Sequence, residues 1–179
     1  MVMRAAGLRA AGVALAILIA FAGPGVAQTP EPENPEQVRG AVTNLPLPRY
    51  VTLKTNEGNA RRGPGLTHRI DWVFRRAGMP LRVTAEYENW RRIEDAEGAG
   101  GWVHYSLLSG SRSVLVTDAM LDLRATPLPE GAMVLRAEAG VIARLMECQP
   151  AWCRLNLGSA KGWAPKSALW GVDPEETFE

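Results

Sequence analysis

The chain has 179 residues and a formal net charge of +1; 22% of its residues are charged, 46% are hydrophobic, and it holds two Cys and two His. A balance so near neutral, in a chain that begins like an exported one, argues against a nucleic-acid partner. No phosphate-loop glycine pattern and no His/Cys metal cluster occurs, so neither a cofactor nor a metal is expected.

Residues 1–27 read as a secretory signal peptide. Arg4 and Arg9 form a basic start, residues 10–22 are apolar, and Gly25-Val26-Ala27 supplies the small residues needed for cleavage. The apolar run is short for a membrane span, with an uncleaved anchor as the alternative. No Cys follows the run, so lipid attachment there is not expected. Cleavage would remove Arg4 and Arg9 and take the net charge from +1 to −1. It would leave no transmembrane anchor and place the protein in the periplasm.

Residues 28–48 form a Pro/Glu-rich linker. Pro30, Pro32 and Pro35 stand among Glu31, Glu33 and Glu36, a stretch too polar to bury itself. Leu45-Pro46-Leu47-Pro48-Arg49 is expected to be extended, because each Pro pushes its predecessor out of the helical region. It also resembles a Pro-rich peptide ligand, although packing along the first domain is the simpler expectation.

Two similar segments follow, 49–110 and 111–171. Tyr50-Val51-Thr52-Leu53-Lys54 and Arg82-Val83-Thr84-Ala85-Glu86-Tyr87 alternate as strands do. Glu88-Asn89 turns the chain into Trp90, and a Gly-rich turn precedes Trp102-Val103-His104-Tyr105. Short strands separated by turn signals predict a small all-β barrel or sandwich, and no stretch sustains a helical period. The join near Gly110 is short, so the segments should be neighbours. The tail, 172–179, carries Asp173, Glu175, Glu176 and Glu179 and is expected to be solvated.

The two segments repeat each other. Asn59-Ala60-Arg61-Arg62-Gly63-Pro64 is answered by Asp122-Leu123-Arg124-Ala125-Thr126-Pro127, and Trp90-Arg91-Arg92-Ile93 by Trp152-Cys153-Arg154-Leu155. Gly101-Trp102-Val103-His104-Tyr105-Ser106-Leu107-Leu108 is answered by Gly162-Trp163-Ala164-Pro165-Lys166-Ser167-Ala168-Leu169. The offset falls from 63 to 62 to 61 residues, as expected for two copies of one domain. In this alignment Cys148 and Cys153 fall on Glu86 and Arg91. A thiol pair in one copy and opposite charges in the other both suit residues facing each other across a hairpin, so a disulfide is expected. A redox or metal pair is the alternative, but the spacing is not Cys-x-x-Cys and no His lies nearby.

The order (Asn/Asp)-x-Arg-x-x-Pro, a middle Trp, then Gly-Trp-(Val/Ala)-x-x-Ser-x-Leu resembles the bacterial SH3-like domain, in particular secreted two-copy members. The resemblance implies two tandem small SH3-like β-barrels. It also implies binding rather than catalysis, since members often attach enzymes to the cell wall. The second copy departs from the pattern at Asp122, Thr126 and Ala164-Pro165.

The expected function is therefore non-catalytic recognition of a peptidoglycan-type or peptide ligand of the cell envelope. A periplasmic scaffold binding another envelope protein is the alternative, and a small hydrolase a remote one. Repeat one is the richer in Arg. Residues 49–112 hold 11 basic and 7 acidic residues, against 6 and 5 in 113–171. That excess reads either as an anion-binding face or as a solvated one with local pairs such as Arg91 with Glu86. The candidate contacts are Trp72, Trp90 and Tyr105 as apolar surfaces, with Arg92 and His104 as polar handles. Arg61 and Arg124 recur at one motif position and read as structural. Ser106 and Ser167 recur as turn or cap residues rather than nucleophiles.

Overall fold

The computed structural model describes residues 37–158 and 160–178. The expected signal peptide and residues 28–36 lie outside the described residues. Within them the chain is all-β, with two short 3-10 turns and no α-helix.

The first copy contains β1 (Arg49–Leu53), β2 (Gly58–Arg61), β3 (Ile70–Phe74), β4 (Pro80–Tyr87), β5 (Trp90–Glu94), β6 (Gly100–His104) and β7 (Leu108–Ser109). The second contains β8 (Ser113–Val116), β9 (Met120–Arg124), β10 (Met133–Glu138), β11 (Ile142–Cys148), β12 (Trp152–Asn156), β13 (Lys161–Pro165) and β14 (Leu169–Trp170). Every pairing is antiparallel. The sheet orders are β3-β2-β6-β5-β4-β1-β7 and β10-β9-β13-β12-β11-β8-β14, the same topology twice, each open between its first and last strand.

Register repeats as closely as order. Arg61 lies opposite Trp102 and Arg124 opposite Trp163. A bulge between Val83 and Ala85 is matched by one between Leu145 and Glu147. The recurring motifs have physical reasons. Arg61 Nη1 donates to the carbonyls of Leu66 at 3.0 Å and His68 at 2.7 Å, bracing the loop after β2 from within. Arg124 Nη1 braces the matching loop through Gly131 O at 2.8 Å. The motif glycines sit where two strands pass closest. A Cβ on Gly101, whose φ is +154°, would stand 2.6 Å from Arg61 O, and one on Gly162 would stand 2.8 Å from Leu123 Cβ. The 3-10 turns Tyr105–Leu107 and Lys166–Ala168 clasp the hairpin tips through Tyr105 N to Asn89 O and Lys166 N to Ala151 O.

Alternation along these strands builds two cores. The first gathers Leu53, Phe74, Leu81, Val83, Ile93 and Val103. The second is larger and takes in Cys148, Cys153, Ala168, Leu169 and Val172 as well. The copies touch directly. Thr52 Oγ1 and Ser113 Oγ are 2.7 Å apart, Arg76 Nη1 donates to Gly140 O at 2.8 Å, and Tyr50 meets Trp170 edge-on at 5.3 Å.

The tip of the central hairpin differs between copies. Cys148 and Cys153 are bonded across β11 and β12. Their Cα atoms are 4.1 Å apart, closer than the roughly 4.4–6.8 Å usual for disulfides. The reason is register. Gln149 N donates to Trp152 O, so Cys148 and Cys153 form the adjacent non-hydrogen-bonded pair, where antiparallel strands approach most closely. At the matching site Glu86 Oε1 lies 3.5 Å from Arg91 Nε.

Both ends of the described chain return to these tips, which revises two expectations. The segment 37–48 is not simply extended. It turns at residues 41–43, bridges Arg39 to Pro46, and places Val42 N, Thr43 N and Thr43 Oγ1 on the carboxylate of Glu86 at 3.0, 2.8 and 2.6 Å. Arg49 Nη2 reaches the same carboxylate at 2.6 Å. The tail is not solvated throughout. Val172 joins the second core, Phe178 pairs with the backbone of Cys148, and Glu176 holds Arg112. Lys166 Nζ, itself buried, donates to the carbonyls of Pro174 and Glu176. The tail's acidic residues misled because its two apolar residues and its backbone decide where it goes.

Glu86 is the most perturbed of these groups. Burial alone would raise its pKa, but hydrogen bonds from the side chain and backbone of Thr43, from Arg49 and from Val42 N outweigh it and hold the carboxyl at about 2, from 4.5. A carboxyl more acidic when folded stabilises the fold above its ordinary pKa, and that contribution fades as pH falls from there toward the folded value. The stability gap between wild type and Glu86→Gln should be widest above pH 4.5 and should close toward pH 2, followed by chemical denaturation. Amide exchange at Val42 and Thr43 should rise in the variant. A Cys148→Ala/Cys153→Ala double variant should lose less than the ~3 kcal/mol expected for a 15-residue loop, because its loop is shorter. Exchange at Phe178 should quicken with it.

Candidate functional site

Alternation carries the side chains of β5 and β6 to two faces. Arg91, Ile93 and Val103 turn inward, and Trp90, Arg92, Trp102 and His104 turn outward. Register then pairs Trp90 with His104 and Arg92 with Trp102. Four of the five expected contacts therefore meet on one surface. Trp90 packs edge-on to His104 at 5.6 Å, and the His104 and Tyr105 rings lie 4.9 Å apart. Trp90 is buried beneath this cluster, whereas Tyr105 is 51% exposed. His104 is less free than expected, since its Nδ1 is 2.8 Å from Ser106 Oγ and caps the 3-10 turn.

Trp72 does not join them. It lies on the edge strand β3 opposite Ala60, 46% exposed, and lines neither the aromatic cluster nor the hollow described next. β3 is the first strand of its sheet, which sets it at the rim. Composition marked Trp72 because repeat two has no Trp there, but position on the sheet decides reach.

Beside the aromatic cluster lies an open hollow of about 410 Å3, with Arg61, Arg62, Asp71, Arg92, Glu94 and Trp102 in its lining. Most of its charges are already engaged. Arg62 and Arg69 donate to Asp71 at 3.0 and 2.7 Å, and these hydrogen bonds hold the Asp71 carboxyl below its usual range. Arg82 donates to Glu94 through Nε at 2.7 Å, and Arg61 braces its loop. Arg92 makes no side-chain hydrogen bond or ion pair among the described residues, and it flanks Trp102. Sequence reasoning missed Arg62, Glu94 and Trp102 as neighbours of Arg92. The cross-strand register set by the Gly-rich turn between Glu94 and Gly100 was the signal for Trp102.

The second copy shows what Arg92 lacks. Its counterpart Arg154 lies opposite Glu147 and approaches it to 3.9 Å, whereas Arg92 lies opposite Ala85. One substitution, Glu147 in one copy for Ala85 in the other, leaves a guanidinium unpaired in repeat one only. Pro165 also replaces His104, so the second 3-10 turn has no side-chain cap.

Residues 54–110 and 117–171 each match the family model described as a bacterial SH3 domain. Comparison with curated proteins returns no match. Among solved structures the chain is similar to NlpC2 from Trichomonas vaginalis, at 13% identity and a TM-score of 0.33, over 70% of this chain and 50% of that one. It is similar likewise to NlpC1 from Trichomonas vaginalis, at 14% identity and a TM-score of 0.33, over 73% of this chain and 48% of that one. The chain thus spans about half the length of either structure. With two such matches covering most of its length, the chain belongs to the bacterial SH3 domain family and carries that domain twice in tandem.

Proposed function

We propose that the protein is a non-catalytic binding module of the cell envelope, acting in the periplasm, and that repeat one holds a peptide-type ligand such as a peptidoglycan stem peptide. The ligand's carboxylate meets Arg92, and its apolar part lies against Trp102, His104 and Tyr105. The observation that carries this reading is the unpaired guanidinium of Arg92 opposite Ala85, beside a Trp and an open hollow, while its twin Arg154 faces Glu147. Arg matches a carboxylate in planar geometry, and an unpaired cation beside an aromatic face is a ready anion contact. Membership of a family of cell-wall binding modules supports the choice of ligand class. Family membership and an outward aromatic surface favour binding over chemistry, with the His104–Ser106 contact serving as the cap of a 3-10 turn.

Purified sacculi provide the test. A hydrogen bond to a charged group contributes about 1.5–3 kcal/mol, so Arg92→Ala should weaken cosedimentation about tenfold or more. Ala85→Glu should weaken it as well, by giving Arg92 the partner that Arg154 has. Unchanged binding in both variants would remove Arg92 from the site.

A further inference from the structure

Repeat two places a different surface at the position of the aromatic cluster. Trp152 and Pro165 are cross-strand partners on the outer side of β12 and β13, where repeat one pairs Trp90 with His104. Two open hollows, of about 470 and 550 Å3, share these two residues. Met120, Leu121 and Pro129 bound the first, and Pro150, Val172 and Pro174 bound the second. Apolar exposure continues along the neighbouring β9–β10 hairpin, with Met120, Leu128 and Met133 each half exposed or more. An exposed apolar surface of this kind marks an interaction site more often than chance.

The charges at its rim already have partners. Arg136 Nε donates to Asp122 at 2.6 Å, Arg124 Nη1 is bound to Gly131 O, and Lys166 Nζ is taken by Pro174 O and Glu176 O. A charged occupant would lose hydration and meet only charges that are already paired. β12 and β13 also have a strand on each side, so no free ladder is offered to a ligand backbone. Recognition must come from side chains. An occupant that fills both hollows has to cross the Trp152–Pro165 pair, and an extended chain does this with side chains on either side.

We propose that repeat two carries a second binding site, the double hollow about Trp152 and Pro165, which takes an extended, uncharged segment of a protein partner bearing apolar side chains. This site stands apart from the Arg92 face and differs from it in ligand chemistry, which would let one chain hold an anionic ligand and a protein together.

The test is a nitrogen-labelled NMR titration of the whole exported chain with two end-capped tripeptides, Leu-Ala-Leu and Glu-Ala-Glu. Leu-Ala-Leu should give saturable shifts at the Trp152 indole and the Lys166 and Ser167 amides, and Glu-Ala-Glu should not. Met120→Lys puts a charge in the hollow at a half-exposed position and should weaken Leu-Ala-Leu binding at least tenfold. Pro165→His installs the residue that repeat one carries at this register and should weaken it too. Arg92→Ala should leave these shifts unchanged while sacculus binding falls, so failure of either site is read separately. Absent shifts, equal shifts with Glu-Ala-Glu, or indifference to both repeat-two variants would overturn the proposal. So would self-association by sedimentation that Met120→Lys abolishes, since a second copy would then be the occupant.

Discussion

The long hairpin at the centre of each sheet has to be closed at its tip. Its inner side supplies much of the core and its outer side presents the residues that could meet a ligand. Strands pinned at the last cross-strand pair keep one register, and a slip of one residue would exchange the two faces. Repeat one closes the tip with Glu86 and Arg91, and repeat two with Cys148 and Cys153. The charged version carries a cost, because a buried carboxylate needs several partners. The segment 37–48 supplies those partners. The covalent version needs none, and there the tail uses backbone pairing and Phe178 instead.

That difference accounts for the two cores. With thiols at the tip, the apolar cluster of repeat two extends to the end of the hairpin and takes in Val172 beyond it. With charges at the tip, the cluster of repeat one stops short. The outer faces diverge in parallel. Ala85 against Glu147 decides which Arg is free, and His104 against Pro165 decides whether the neighbouring surface is polar or apolar. Few substitutions on an unchanged ladder are enough to give two surfaces of opposite character.

Much of this was legible in the sequence. The offsets of 63, 62 and 61 residues follow from loops that differ by one residue between copies on an identical strand order. The Glu86/Arg91 and Cys148/Cys153 correspondence was readable because cross-strand neighbours are a fixed distance from a two-residue turn. The structural role of Arg61 and Arg124 was readable from recurrence. Trp72 was misplaced because composition cannot say which strand lies at an edge. Arg92 was named, but its isolation was not, since that depends on Ala85 across a bulge. The tail and the segment 37–48 were read as solvated or extended because their docking rests on a few backbone groups and one distant carboxylate, which local composition does not record.

The Glu86 cluster also has a mechanical consequence. Whatever pulls on the chain ahead of Gln37 loads the Arg39–Pro46 turn first, and then the three contacts that Val42 and Thr43 make to the Glu86 carboxylate, ahead of Arg49 at the start of β1. These contacts share one acceptor group, so the anchorage of the segment rests on a single side chain of β4. The segment thus stands as a clasp in series with repeat one, ahead of the sheet that sets the register and the outward face.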